Sequence, residues 1–346
     1  MKTTYFLGAC SPAGFSSYYS SLLTELDQLH IIKGGSGCGK STFMKKLGAA
    51  ALANGLDVSY ILCSSDPASL DGVVFPQLSL GFVDGTAPHV LEPSLCGGGM
   101  NYVNFGEFYD SEAMRPHEPE IRAAQKKNAE QYPYITACLA AADKLLDVVR
   151  AEAAAHAEEI DALAQCLIIS QLHAVGQKGK LIKRFMNAVT PDGLTSCSES
   201  ANALCPKVYV LQDSYQLAPQ LLLTLQEKAL SLGHDCVAGY SPLLPDGKPS
   251  HLLIPSAGVG FVSASNDFPF DGESFCKIDL DSTLSAQTRK DLSFYVDSVS
   301  SLLQQSVAHM HEAKRVHDEI EALCHPYVDF AAVDRLTVLT IAQLFS

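Results

Sequence analysis

The chain has 346 residues, 47% hydrophobic and 18% charged, with a formal net charge of −14. That length exceeds one ordinary domain, and the composition supplies a core and excludes disordered and fibrous classes. The acidic balance argues against a generally basic surface for nucleic acid or anionic lipid.

The 11 cysteines are scattered, without a Cys-x-x-Cys pair. This is the usage of a reduced, cytosolic protein rather than of a disulfide framework. The apolar run Tyr5 to Cys10 is too short for a signal-peptide core. No stretch approaches the roughly 18 apolar residues of a membrane helix. The expectation is a cytoplasmic protein with no membrane or nucleic-acid partner.

Leu29-His30-Ile31-Ile32-Lys33 reads as a short buried strand. Gly34-Gly35-Ser36-Gly37-Cys38-Gly39-Lys40-Ser41 follows, with Thr42 next, and fits the phosphate-loop pattern G-x-x-x-x-G-K-[ST]. Lys40 to Asn54 then has apolar residues at helical spacing, with Gly55 as a C-cap. The chemistry requires this order of strand, glycine loop and helix. Glycines let backbone N–H groups turn around phosphate oxygens, and the helix N-terminus adds partial positive charge. Lys40 would reach the β/γ-phosphates, and the Ser41 hydroxyl would ligate Mg²⁺.

Asp57 to Leu62 predicts the next strand. Cys63 to Gly72 then reads as a loop at the carboxyl edge of the sheet, where open α/β folds bind ligands. Asp66 or Asp71 would orient water or accept a substrate proton there; the alternative is that Asp66-Pro67 and Asp71-Gly72 are turns. Leu78 to Asp84 is an apolar strand ending in an acid, and Asp84 is the second candidate for the Mg²⁺ site. His89, five residues on, is a candidate contact to the γ-phosphate. Cys96-Gly97-Gly98-Gly99 is only a weak second phosphate cradle.

Glu118 to about His173 predicts a long helical stretch interrupted at Pro133. Near residue 185 the opening then returns in outline. Phe6, Ala9, Pro12 and Gly14 recur as Phe185, Ala188, Pro191 and Gly193, each 179 positions on. Pro76, Gly81, Phe82 and Val83 recur as Pro255, Gly260, Phe261 and Val262. Leu292, Val296, Val299, Leu303, Val307 and Met310 predict a second long helix, ended by Pro326. In the second copy the loop glycines become Gln212, Asp213, Tyr215 and Leu217, Lys40 becomes Ala218, Ser41 becomes Pro219 and Asp84 becomes Ser263. One nucleotide site per chain is expected, in the first half. The halves divide as 1–176 and 177–346, joined by a polar Gly/Lys stretch whose cations, Lys183 and Arg184 included, read as a solvated linker. A helix arginine such as Arg315, or Arg184, is the minority candidate for a cation supplied across the interface. His309, His311, His317 and His325 lack metal-ligand spacing and read as helix-surface residues.

The run Ile31 to Thr42, the segments Cys63-Ser64-Ser65-Asp66-Pro67 and Ser69-Leu70-Asp71-Gly72-Val73, and Asp84-Gly85-Thr86-Ala87-Pro88-His89 resemble a bacterial family of tandem P-loop ATPase-like proteins. The resemblance spans nearly the whole chain, Gly14-Phe15 and Asn104-Phe105-Gly106-Glu107 included. It implies ATP binding and hydrolysis, but members carry a loop in each half, and this chain lacks the second. The expected fold is α/β: tandem duplicated P-loop NTPase-type units, each a mostly parallel sheet flanked by helices with a long helical extension, the second degenerate. The expected activity is a Mg²⁺-dependent ATPase with Lys40, Asp66, Asp71 and His89 in catalytic roles. A kinase acting on a small acceptor, and a nucleotide-gated switch whose helical extensions bind a protein partner, are the alternatives. An intramolecular pseudo-dimer is compatible with either.

Overall fold

The computed structural model describes residues 1–92 and 98–345. Cys96 and Gly97 of the weak second cradle lie outside the described residues. The first half runs β1 (Lys2–Tyr5), β2 (Gly8–Ser11), β3 (Gly14–Ser17), α1 (Leu22–Glu25), β4 (Gln28–Lys33), α2 (Lys40–Ala53), β5 (Val58–Cys63), β6 (Asp66–Phe75), β7 (Leu80–Asp84) and β8 (Met100–Asn104). Then come α3 (Ser111–Met114), α4 (Glu118–Ala129), α5 (Tyr132–Ala155) and α6 (Ala157–Gln171). The second half runs β9 (Leu181–Arg184), β10 (Asn187–Thr190), β11 (Gly193–Ser196), α7 (Ser198–Leu204), β12 (Lys207–Gln212), α8 (Ala218–Ser231), β13 (Cys236–Tyr240), β14 (Pro249–Ile254), β15 (Val259–Ala264) and β16 (Cys276–Asp279). It closes with α9 (Ala286–Cys324) and α10 (Phe330–Leu344).

Among the described residues there are two six-stranded sheets. The first has the order β1-β5-β6-β7-β4-β8 and the second β16-β12-β15-β14-β13-β9. Read from the other edge, the second is the first with β9 in place of β1, β13 of β5 and so on to β16. Strand directions match as well. β4 pairs in parallel with β7 and β8, and β12 with β15 and β16. One strand in each sheet runs against its neighbours: β6 against β5 and β7, and β14 against β13 and β15. Both sheets are therefore mostly parallel and flanked by helices. Long apolar runs such as Ile31-Ile32 and Val208 to Leu211 suit strands buried on both faces.

The helical stretches break where the chain chemistry dictates. Pro133 falls in the first turn of α5, where its missing N–H costs nothing, so the long stretch splits just before it. Pro326 follows the end of α9. Among the described residues no helix is long and apolar enough to cross a membrane.

One apolar cluster spans both halves. Leu139, Leu146 and Val149 of α5, Ile160 and Leu167 of α6, Leu221 and Leu225 of α8 and Leu303 of α9 belong to it. Each of these buried side chains is worth roughly 1.5–3 kcal/mol relative to exposure. α6 packs on α8 of the second half, and α10 packs on α2 of the first. The terminal helices are thus exchanged between the sheets. At the centre Phe6 and Phe185 bridge each other through two backbone hydrogen bonds, both 2.9 Å. These are the residues that the sequence places 179 apart, so the contact has the reciprocity of a twofold axis. On one side of it Ser200 of α7 hydrogen-bonds the backbone of Thr4 in β1. On the other, Arg184 of β9 makes a two-bond pair with Glu25 of α1 at 2.5 and 3.1 Å. Arg184 is buried over the Tyr5 ring. This corrects its reading as part of a solvated linker. A buried cation needs its partner, and breaking such a pair costs about 3–5 kcal/mol.

Candidate functional site

The glycine loop lies between β4 and α2, as its pattern predicts. Gly37 and Gly39 have φ of +72° and +90°. A side chain in that left-handed region costs about 1–2 kcal/mol, which is why glycines stand there. Gly34 and Gly35 are constrained by space instead. A Cβ at Gly34 would lie 2.7 Å from the Phe105 Cβ, and one at Gly35 would lie 2.8 Å from the Tyr109 hydroxyl. Tyr109 also donates to the Ser36 carbonyl at 2.7 Å, and Cys38 is buried with its thiol on the Gly35 carbonyl. Helix α2 opens at Lys40, with Gly39 as N-cap and so no N-cap side chain over its first amides.

Lys40 folds back over the loop. Its Nζ donates to the carbonyls of Gly34 and Gly35 at 2.9 and 2.6 Å and sits 3.5 Å from Asp84 Oδ2. The other Asp84 oxygen accepts from the Thr86 N–H and hydroxyl. Asp84 ends β7, and its residue pairs directly with Ile32 of β4. The parallel register therefore carries the acid to the loop. The Ser41 hydroxyl accepts from the Leu70 N–H at 3.0 Å, which ties β6 to the loop. Thr42 lies in the first turn of α2.

The Cys63 to Gly72 segment differs from its expected form. It is a hairpin, with Cys63 paired to Asp66, and Asp66 to Phe75 form an antiparallel strand between β5 and β7. The Asp-Pro and Asp-Gly dipeptides are thus neither loop nor turn. Two register shifts in β5, at Ile61/Leu62 and Leu62/Cys63, accommodate them. Pairing on both flanks and the buried run Leu70 to Phe75 outweigh the local turn preference.

The two acids of this strand separate. Asp66 is partly exposed, accepts from Ser69 on one oxygen, and lies 3.7 Å from Lys314 Nζ on the other. Asp71 is buried, receiving the Tyr19 hydroxyl at 3.0 Å and facing His89 Nε2 at 3.2 Å. Burial pulls the His89 imidazole down, but the Asp71 carboxylate outweighs it and leaves it above its ordinary pKa. Burial, then Asp71, push the Cys63 thiol well above its usual range.

Sequence reasoning missed the second half's contribution. Lys314 of α9 reaches Asp66, and burial, which lowers its pKa, is outweighed by Asp318 and Asp66, so it stays charged. His325 and Glu321 lie against Gly37, and Phe330 and Val333 against Gly39. His325 is thus a neighbour of the loop rather than a plain helix-surface residue. The two arginine candidates lie elsewhere: Arg184 is paired with Glu25, and Arg315 with Glu312 and Glu319. Lys314 reaches Asp66 from the other half of the chain, which leaves no local sequence signal.

The equivalent place in the second half is filled by the chain itself. Asp213, which follows β12, accepts the amides of Leu217 and Ala218 at 2.8 and 3.0 Å and, more weakly, that of Tyr215 at 3.3 Å. A carboxylate of the protein thus occupies the start of α8, where the first half has the glycine loop. Ser263 pairs with Leu211 of β12 in the register that joins Asp84 to Ile32. Comparison with protein-family models, curated proteins and solved structures finds no match to the chain.

Proposed function

We propose that the chain is a duplicated phosphate-loop unit with one working site, in the first half, that binds and hydrolyses a nucleoside triphosphate, ATP by resemblance. The observation that carries this is the contrast between the two helix starts. The start of α2 has a glycine N-cap, with no side chain of its own to close the amides, behind a loop whose Gly37 and Gly39 take positive φ and with Lys40 beside it, whereas the first amides of α8 are closed by Asp213. Uncapped amides at a helix N-terminus are a ready anion site, and Lys40 adds a charge-assisted donor.

The residues fit the magnesium nucleotide. Side chains at Gly34 or Gly35 would collide with Phe105 or Tyr109 and displace the loop, and a hydroxyl and a carboxylate, Ser41 and Asp84, supply the hard oxygen donors that Mg²⁺ requires. Bound there, the ion would neutralise phosphate charge. Lys40 would leave its two carbonyls for the phosphates. Asp66 orients water, and Lys314 supplies the second cation across the halves. Asp71 and His89 are committed to each other and do not serve the water. The test is phosphate release from Mg-ATP without an added acceptor. Phosphate appearing only on an added hydroxyl compound would make the protein a kinase.

One observation favours a switch as the second reading. Residues of α9, of the turn after it and of α10 seat directly on Gly37 and Gly39. Anion binding at the loop therefore acts on the packing between the halves. Nucleotide-dependent protection from protease, with no phosphate release, supports that reading.

A further inference from the structure

We infer that Cys63, Asp71 and His89 form a site for one divalent transition-metal ion of the zinc type. The three residues come from the end of β5, from β6 and from the turn after β7, neighbouring strands of one sheet. One ligand atom from each lies within 4.8 Å of the others. A tetrahedral zinc holds its ligands about 2.0–2.3 Å away, hence about 3.3–3.8 Å apart. His89 and Asp71 already stand at 3.2 Å, so the widest pair has roughly an ångström to close.

The donor set is specific. Thiolate, imidazole and carboxylate together suit zinc rather than magnesium or calcium, which take oxygen. The thiolate and carboxylate carry two negative charges, which a divalent ion balances. Three protein ligands leave a fourth position to water.

Two independent features point to a ligand. His89 is 8% exposed, and its Nδ1 is buried with no hydrogen-bond partner. An orphaned buried polar atom is costly, and this one belongs to the side chain that lines the cluster. The imidazole can present either nitrogen by turning about its last torsion. Asp71 also holds the Tyr19 hydroxyl, which is the outer partner that fixes a ligating carboxylate. The site uses neither Lys40 nor Ser41 and does not depend on the nucleotide reading.

The test is a Co²⁺ titration of the metal-stripped full chain. The expected result is one equivalent bound, with a near-ultraviolet thiolate-to-cobalt charge-transfer band and intense visible bands of four-coordinate Co²⁺, both erased by Zn²⁺. Cys63→Ser should lose the charge-transfer band, and His89→Gln should bind Co²⁺ at least tenfold more weakly. No charge-transfer band in the wild type, or an unchanged band in Cys63→Ser, overturns the site. If Cys63→Ser does not fold, alkylation of wild-type Cys63 read by peptide mass replaces it. One equivalent of Zn²⁺ should protect the thiol, and equal labelling with and without Zn²⁺ overturns the proposal. Lys40→Ala should titrate like the wild type even where it has lost nucleotide. A lost Co²⁺ equivalent in Lys40→Ala would contradict the independence of the two sites.

Discussion

Replacing Asp213 by alanine tests whether the second half closes its own anion cradle. The side chain accepts two well-formed buried amide bonds, from Leu217 and Ala218, and a longer one from Tyr215. Orphaning a buried donor costs about 1–3 kcal/mol, so the two good bonds are worth about 2–6 kcal/mol. Against this stands a charging cost. Burial lifts the Asp213 carboxyl to about 6, although the amides of Leu217 and Ala218 pull it down. An acid whose folded pKa is raised contributes stability that is fully present below about pH 4 and is lost as pH rises through 6. Two pH units correspond to about 3 kcal/mol. Asp213→Ala removes that cost at neutral pH but not the lost bonds. Urea unfolding of wild type and Asp213→Ala at pH 4 and pH 7.5 should therefore show a penalty larger at pH 4 by about 2–3 kcal/mol. A penalty that is equal at both pH values, or larger at pH 7.5, refutes the reasoning.

His251 should show the opposite slope. It is buried with both ring nitrogens unpartnered, and burial lowers it to about 4. Its contribution is present above about pH 6.5 and lost as pH falls through 4, so His251→Leu should gain about 3 kcal/mol on the wild type between pH 7.5 and pH 4. Equal urea midpoint shifts at the two pH values would contradict this. Lys314→Ala should leave nucleotide affinity within about threefold but slow phosphate release at least tenfold, as expected for a charge acting on the transition state. Steady-state release at saturating Mg-ATP checks it, and an unchanged kcat removes Lys314 from the mechanism.

Much of the architecture is written locally. The loop is legible because glycine spacing, strand and helix must coincide. The two equivalent sheets are legible because matches such as Phe6/Phe185 and Gly81/Gly260 keep one offset. Asp84 is legible because an acid ends an apolar strand. Other features lie outside local signals. Asp66 and Asp71 carry turn chemistry, yet β5 and β7 pair with their strand from both sides. His325 reads as a helix-surface residue, and nothing local marks Lys314, because their neighbours come from the other half. Asp213 looks like one more lost glycine. Only the fold shows its carboxylate on the amides of α8.

The central claim is that the first-half loop alone binds a nucleoside triphosphate through Lys40. Equilibrium binding of Mg-ATP to the full chain, wild type beside Lys40→Ala, tests it most directly. One site per chain is predicted. Each charge-assisted bond lost with Lys40 is worth about 1.5–3 kcal/mol, so affinity should fall at least tenfold. Two equivalent sites, or a Lys40→Ala isotherm that overlays the wild type, would contradict the account.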